Sequence, residues 1–170
     1  MQQQRPSGRL LDVGCVATGG VQNDDESLDE LYRRLRPSLV ALARLLLGTD
    51  AAAEDVVQDA FVGFQRSAVV VERPDAYLRT AVVNGTRTVH RRSARDRDRP
   101  LIAVQVTHQP EIDETWRILR NLPYRQRAAI VLRFYADLPD DEIAIMLGCR
   151  PATVRSLIQR GLTKVRDRLQ

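Results

Sequence analysis

The chain has 170 residues, enough for one ordinary domain or two small ones, and 44% of them are hydrophobic, which supports a packed core and argues against global disorder. Lys and Arg total 26 against 22 Asp and Glu; a net charge of +4 is too small to imply a nucleic-acid partner unless the basic residues cluster. Cys15 and Cys149, with only His90 and His108 beside them, lack the spacing of a zinc site, and no stretch approaches the roughly 20 apolar residues of a membrane span, so a soluble, cytoplasmic chain without membrane insertion is expected.

Aromatic residues make up only 5%, while Leu, Ala, Val and Arg recur, a mix that favours helix over strand. Residues 1–26 carry Gln2-Gln3-Gln4, four glycines and little periodicity, and are expected to form a disordered extension. Ser27 followed by Glu30 makes a capping box, so order should begin there. Leu28, Leu31 and Leu35 fall on one helical face, Pro37 predicts a kink or break near Arg36, and Leu39, Leu42, Leu45 and Leu46 continue the stripe to Gly48. A second helix is expected from Ala51 to Ser67, with Val56, Ala60, Phe61 and Phe64 inward. A third opens at Pro74, runs through Tyr77, Leu78, Ala81, Val82 and Val89, and passes into an arginine cluster. Three such helices can enclose one small core.

Residues 98–111, bracketed by Pro100 and Pro110, show no sustained period and read as a linker. Periodicity returns at Ile112, with Trp116, Leu119 and Leu122 on one helix and Ala128, Ile130, Val131 and Phe134 on the next, Tyr124 to Tyr135. Asp140–Leu147, Gly148 and then Pro151–Leu169 complete the chain. The expected fold is therefore all-α: a domain of three or four helices at 27–97, a linker at 98–111 and a helix-turn-helix domain at 112–170.

The basic residues do cluster. Six arginines face two aspartates between Arg87 and Arg99, and six Lys or Arg face only Asp167 between Arg150 and Gln170. The second cluster lies in a segment with helix-turn-helix grammar. Ile143, Ala144 and Leu147 are the apolar face of a short helix; Gly148 supplies a turn where positive φ is cheap, and Pro151 suits a helix start. Val154, Ile158, Leu162, Val165 and Leu169 are the expected inward stripe of the last helix, leaving Arg155, Ser156, Gln159 and Arg160 outward, where Arg and Gln can reach base edges in a major groove. The alternative for this segment is an amphipathic hairpin with a solvated basic face. Further upstream, Asp55, Gln58 and Asp59 share one exposed face; without His or Cys nearby they are weak candidates for catalysis or metal binding and could be plain solvated surface. In the third helix Arg79, Arg87, Arg91 and Arg92 can engage phosphates, and Asn84 and His90 could contact unstacked bases.

Taken in order, the three segments resemble the extracytoplasmic-function (group four) sigma factors of bacterial RNA polymerase, actinobacterial members above all. "AEDVVQDAF" is similar to the region 2.2 signature, and the resemblance gives core-polymerase binding to Asp55, Gln58 and Asp59. "PDAYLRTAVVNGTRTVHRR" is similar to regions 2.3 and 2.4, which open and read the minus-ten element, a role that would fall to Arg79, Asn84, Arg87, His90, Arg91 and Arg92. "LPYRQRAAIVLRFYADLPDDEIAIMLGCRPATVRSLIQRGLTKVRDRL" looks like region 4, in which Arg155, Ser156, Gln159 and Arg160 match the positions that read the minus-thirty-five element. Three departures stand out: Gln65 where many members have Trp, Leu157 for a frequent Arg, and Gly161 for a frequent Ala.

The resemblance implies a protein with no catalytic centre and no cofactor, monomeric when free. It would join core RNA polymerase, recognise promoter DNA and help to melt it, and be held in check by an anti-sigma factor. A compact arrangement hiding DNA-binding surface is expected for the free protein. Two rivals leave parts of the pattern unexplained. A dimeric stand-alone helix-turn-helix regulator has no use for the acidic face or the Asn84 helix, and a polymerase adaptor without DNA has none for Arg155 and Arg160.

Overall fold

A computed structural model describes residues 27–67, 71–95 and 110–169. Among the described residues there are seven α-helices and no strand: α1 (Leu28–Leu47), α2 (Asp50–Gln65), α3 (Pro74–Arg95), α4 (Pro110–Leu119), α5 (Tyr124–Phe134), α6 (Asp140–Leu147) and α7 (Pro151–Leu169). The expected N-terminal extension and residues 98–109 of the expected linker lie outside the described residues. The last two linker residues do not belong to it, since α4 already begins at Pro110.

Helix α1 starts as its sequence dictates. The Ser27 side chain accepts from the Glu30 N–H, and the Glu30 carboxylate accepts from the Ser27 N–H at 3.0 Å. It does not break at Pro37: one helix runs from Leu28 to Leu47. Pro37 is exposed, so the Arg33 carbonyl that loses its N–H partner lies toward water, where the loss is least costly. Gly48 ends the helix in the left-handed region at φ 86°, returning its N–H to the Arg44 carbonyl.

Helices α1, α2 and α3 pack mutually around Leu42, Leu46, Val57, Leu78, Val82 and Val83. Each such fully buried aliphatic chain contributes about 1.5–3 kcal/mol. Ion pairs join the helices at the rim. Arg34 takes both Asp75 carboxylate oxygens at 3.1 and 3.2 Å, Arg36 meets Glu54 at 2.6 Å, and Arg44, itself buried, meets Asp50 at 2.9 Å.

In the second half α5 is central, touching α1 on one side and α6 and α7 on the other. Ala128 to Leu132 are consequently all buried, whereas Phe134, expected inward, is 63% exposed. Leu138 turns into the core beyond it, its carbonyl held by Arg133 at 3.0 Å. The inward stripe of α7 also differs from expectation. Leu162 is exposed, and the buried residue at that level is Gly161, where an added Cβ would lie 2.6 Å from Ile130 Cδ1. At the α5–α7 crossing glycine leaves room for the Ile130 terminal methyl, and the inward line runs through buried Val154 and Gly161 and half-buried Ile158 and Val165.

The two halves share one continuous core. Trp116 of α4 lays its ring in the space that a Gly48 side chain would fill. Arg127 is buried with its guanidinium 4.7 Å from the Trp116 ring centroid and 5.9 Å from that of Tyr124. The Tyr124 hydroxyl donates to the Val83 carbonyl at 3.2 Å and lies 2.9 Å from Thr86 Oγ1, joining α5 to α3.

Candidate polymerase and nucleic-acid interface

Helix α2 buries Ala53, Val56, Val57, Ala60 and Phe61 and so turns Asp55, Gln58 and Asp59 outward. All three are exposed, and they stand together on one face as their spacing requires. Glu54 is drawn aside by Arg36. The second acidic group therefore belongs to the α1–α2 contact, and the free face is that of the other three.

Helix α3 splits its candidate residues. Asn84, Arg87 and Arg91 follow one another at helical spacing on the exposed side, with Arg92 beside them, because Val82, Val83 and Thr86 hold the opposite side in the core. Arg79 and His90 lie away from this line. Arg79 acts electrostatically on Asp75, where the Arg34 bond is the chief reason that the carboxyl sits below its ordinary range. His90 stacks on Tyr124, with ring centroids 4.9 Å apart and planes 19° from parallel. Partial burial, and then the neighbouring Arg127 charge, push its imidazole below the ordinary histidine value. The Tyr124 hydroxyl is pushed up, mainly by burial. Thus the half-to-half contact takes one face of the His90 ring, which is otherwise exposed, and Asn84, Arg87 and Arg91 are exposed as well, Arg87 near enough to act electrostatically on Tyr124.

The α6–α7 pair has the geometry of a helix-turn-helix. Gly148 takes φ 59°, ψ 52° and bonds back to Ala144, Cys149 N–H reaches the Ala144 carbonyl at 2.9 Å, and Arg125 caps the Leu147 carbonyl at 3.2 Å. Nothing stands within 4 Å of a Cβ at Gly148, so it is the backbone angle and not space that selects glycine. On α7, Arg155, Ser156, Gln159 and Arg160 are exposed as expected. Arg155 leans to Asp140 at 3.5 Å, a weak surface pair that orients the side chain more than it stabilises the fold. The Ser156 hydroxyl donates to the Ala152 carbonyl at 3.0 Å.

Sequence reasoning passed over Arg150, Ala152 and Thr153. They line one shallow depression of about 370 Å³ with Ser156, Leu157 and Arg160. For Ala152 and Thr153 the signal was a spacing of three or four residues from Arg155 and Ser156. It is easily missed because the first turn lacks long polar side chains. A second depression farther along is lined by Gln159, Leu162, Thr163 and Arg166. Among the described residues no group of three or more His, Cys, Asp and Glu could hold a metal ion, and no helix is long and apolar enough to cross a membrane.

Comparison with known proteins agrees with this division. Residues 31–96 match the family description "Sigma-70 region 2" and residues 112–165 match "Sigma-70, region 4". The sigma-E factor of RNA polymerase from Streptomyces coelicolor is 29% identical over 153 residues, covering 83% of this chain and 85% of that protein. The ECF RNA polymerase sigma factor SigM of Mycobacterium tuberculosis is 30% identical over 153 residues, covering 85% and 78%. The structure of CnrH in complex with the cytosolic domain of CnrY superposes with a TM-score of 0.63 at 26% identity, covering 84% of this chain and 86% of that one. With both sigma-70 regions matched in order and the helix-turn-helix in place, this chain belongs to the extracytoplasmic-function sigma factors, which bind core RNA polymerase and direct transcription initiation at specific promoters.

Proposed function

We propose that the two halves divide the work by surface. Residues 27–97 would engage the polymerase through Asp55, Gln58 and Asp59 and the minus-ten element through the exposed line of α3, while residues 112–170 place α7 in the major groove of the minus-thirty-five element. The observation that carries this reading is the placement of the acidic face of α2 and the basic, groove-sized N-terminal part of α7 on opposite kinds of surface, both exposed and each held rigidly by a buried side of its own helix. Arg79, Asn84, Arg87, Arg91 and Arg92 supply phosphate contacts and base capture, and His90 joins them only when it leaves Tyr124. Arg155, Ser156, Gln159 and Arg160 read base edges.

On this reading the protein is a non-catalytic subunit acting in the cytoplasm, and bond formation belongs to the polymerase. A partner that covers either half would silence it, as an anti-sigma factor does; the structurally similar CnrH is itself held by the cytosolic domain of CnrY. A stand-alone regulator is not favoured, since it would leave the α2 face without purpose.

The test is co-elution with purified core RNA polymerase, comparing the wild type with Asp55→Ala/Gln58→Ala. Wild-type co-elution lost in the double variant, with thermal stability unchanged, is the expected result. Retained co-elution by the variant would move the polymerase contact elsewhere on the chain.

A further inference from the structure

The N-terminal part of α7 carries an unusual amount of carbon for a groove-reading surface. The depression is lined by Arg150, Ala152, Thr153, Ser156, Leu157 and Arg160, so two guanidinium-bearing side chains share its wall with three that carry methyl groups, Ala152, Thr153 and Leu157. The Ser156 hydroxyl donates to the Ala152 carbonyl, which turns its oxygen lone pairs outward as acceptors. Leu157 is half-buried against the core, which holds its side chain in place.

A major-groove floor offers a single exposed apolar group, the C5 methyl of thymine, and beside it the O4 acceptor. The lining of the depression supplies both arginine donors and carbon. Thymine matches both. Guanine matches the donors but gives the carbon nothing to bury. Cytosine turns its amino donor toward the arginines, and adenine brings an amino group over carbon. We infer that Ala152, Thr153 and Leu157 form a seat for a thymine methyl group, and that this seat, with Arg150 and Arg160 beside it, makes thymine the preferred base at one position of the upstream element. The inference rests on the reading of α7 as the helix in the major groove. It also gives Leu157 a purpose, since its carbon adds base discrimination.

The experiment uses holoenzyme reconstituted from this protein and core polymerase. Random duplexes retained by the holoenzyme define the upstream element, and each thymine in it is then replaced by deoxyuridine, which removes only the methyl group. Replacement at one or two positions should weaken wild-type binding about three- to five-fold, the effect of one buried methyl. Thr153→Ser, which deletes a single exposed methyl and spares the core, should bind the thymine duplex more weakly and lose little more on substitution by deoxyuridine. Leu157→Ala should behave alike. Wild-type indifference to deoxyuridine at every position, with an upstream element clearly enriched, overturns the methyl seat while sparing the groove-helix reading. The same loss on deoxyuridine in Thr153→Ser and Leu157→Ala as in the wild type also overturns it. If retained duplexes share no upstream element, both the seat and the groove-helix reading fall.

Discussion

Replacing Gly161 by alanine puts two opposed effects on one atom. Alanine in a helix interior is worth about 0.5–1 kcal/mol over glycine, so helix propensity alone favours Gly161→Ala. The added Cβ, however, would sit 2.6 Å from Ile130 Cδ1 and 3.4 Å from Gln126 Cβ. The second distance is tight but tolerable; the first requires movement. Ile130 is only 7% exposed, so its terminal methyl has little room to swing, and overpacking of this kind costs about 1–3 kcal/mol. The clash outweighs the propensity: a net destabilisation of up to about 2.5 kcal/mol is expected, a fall of a few degrees in the thermal midpoint. Ile130→Val removes the offending methyl at a cost of its own of about 0.5–1.5 kcal/mol. In that background the new Cβ fills the vacated space, and Gly161→Ala should become neutral or stabilising. Urea unfolding of the wild type, both single variants and the double variant gives the coupling directly. A wild-type background in which Gly161→Ala raises stability, or a double variant showing no coupling, would refute the account of the α5–α7 crossing.

Two further predictions concern the contact between the halves. Tyr124→Phe deletes the hydroxyl bonded to Val83 and Thr86, while Thr86 keeps its own bond to the Val83 carbonyl at 2.9 Å, so no buried group is orphaned. The loss should be about 1 kcal/mol, roughly a five-fold shift toward separated halves, seen as faster amide exchange in α4 and α5 with little change within α1–α2; unchanged exchange would contradict the joining role. The second is a pH dependence. His90 has its imidazole pushed below the ordinary histidine value where it stacks on Tyr124 near Arg127, so the separated or unfolded state binds more protons. The contribution is therefore fully present above the ordinary histidine pKa of about 6.5 and lost as pH falls from there through the lower folded value. Contact between the halves, followed by a distance probe across α3 and α5, should loosen on acidification from neutral pH, and His90→Gln should flatten that dependence.

What the sequence disclosed, and what it hid, follows from the reach of each signal. The capping box at Ser27 and Glu30 and the left-handed turn at Gly148 are local: the residues that make them adjoin, and both were found where expected. The exposed face of Asp55, Gln58 and Asp59 was equally legible, because α2 has one buried side and one wet one. A helix with neighbours on two sides has no such stripe. α5 is buried continuously from Ala128 to Leu132, so its periodicity falls silent where its packing is densest, and Phe134 was carried inward by extrapolation. The same holds for α7, where the apolar pattern favoured Leu162 but the crossing with α5 favoured the residue that has no side chain. At Pro37 the break that a local rule allowed does not occur, and the carbonyl it frees lies on the exposed side of α1. His90 is the instructive case for function. Its position in an arginine-rich helix suggested a base contact, yet its partner here is a tyrosine from the other half of the chain. The two assignments conflict only if they must hold at once. On the proposed reading the halves part on DNA, and the His90 ring, already exposed on its other side, then leaves Tyr124 and becomes available to a base, so one side chain would serve both forms in turn.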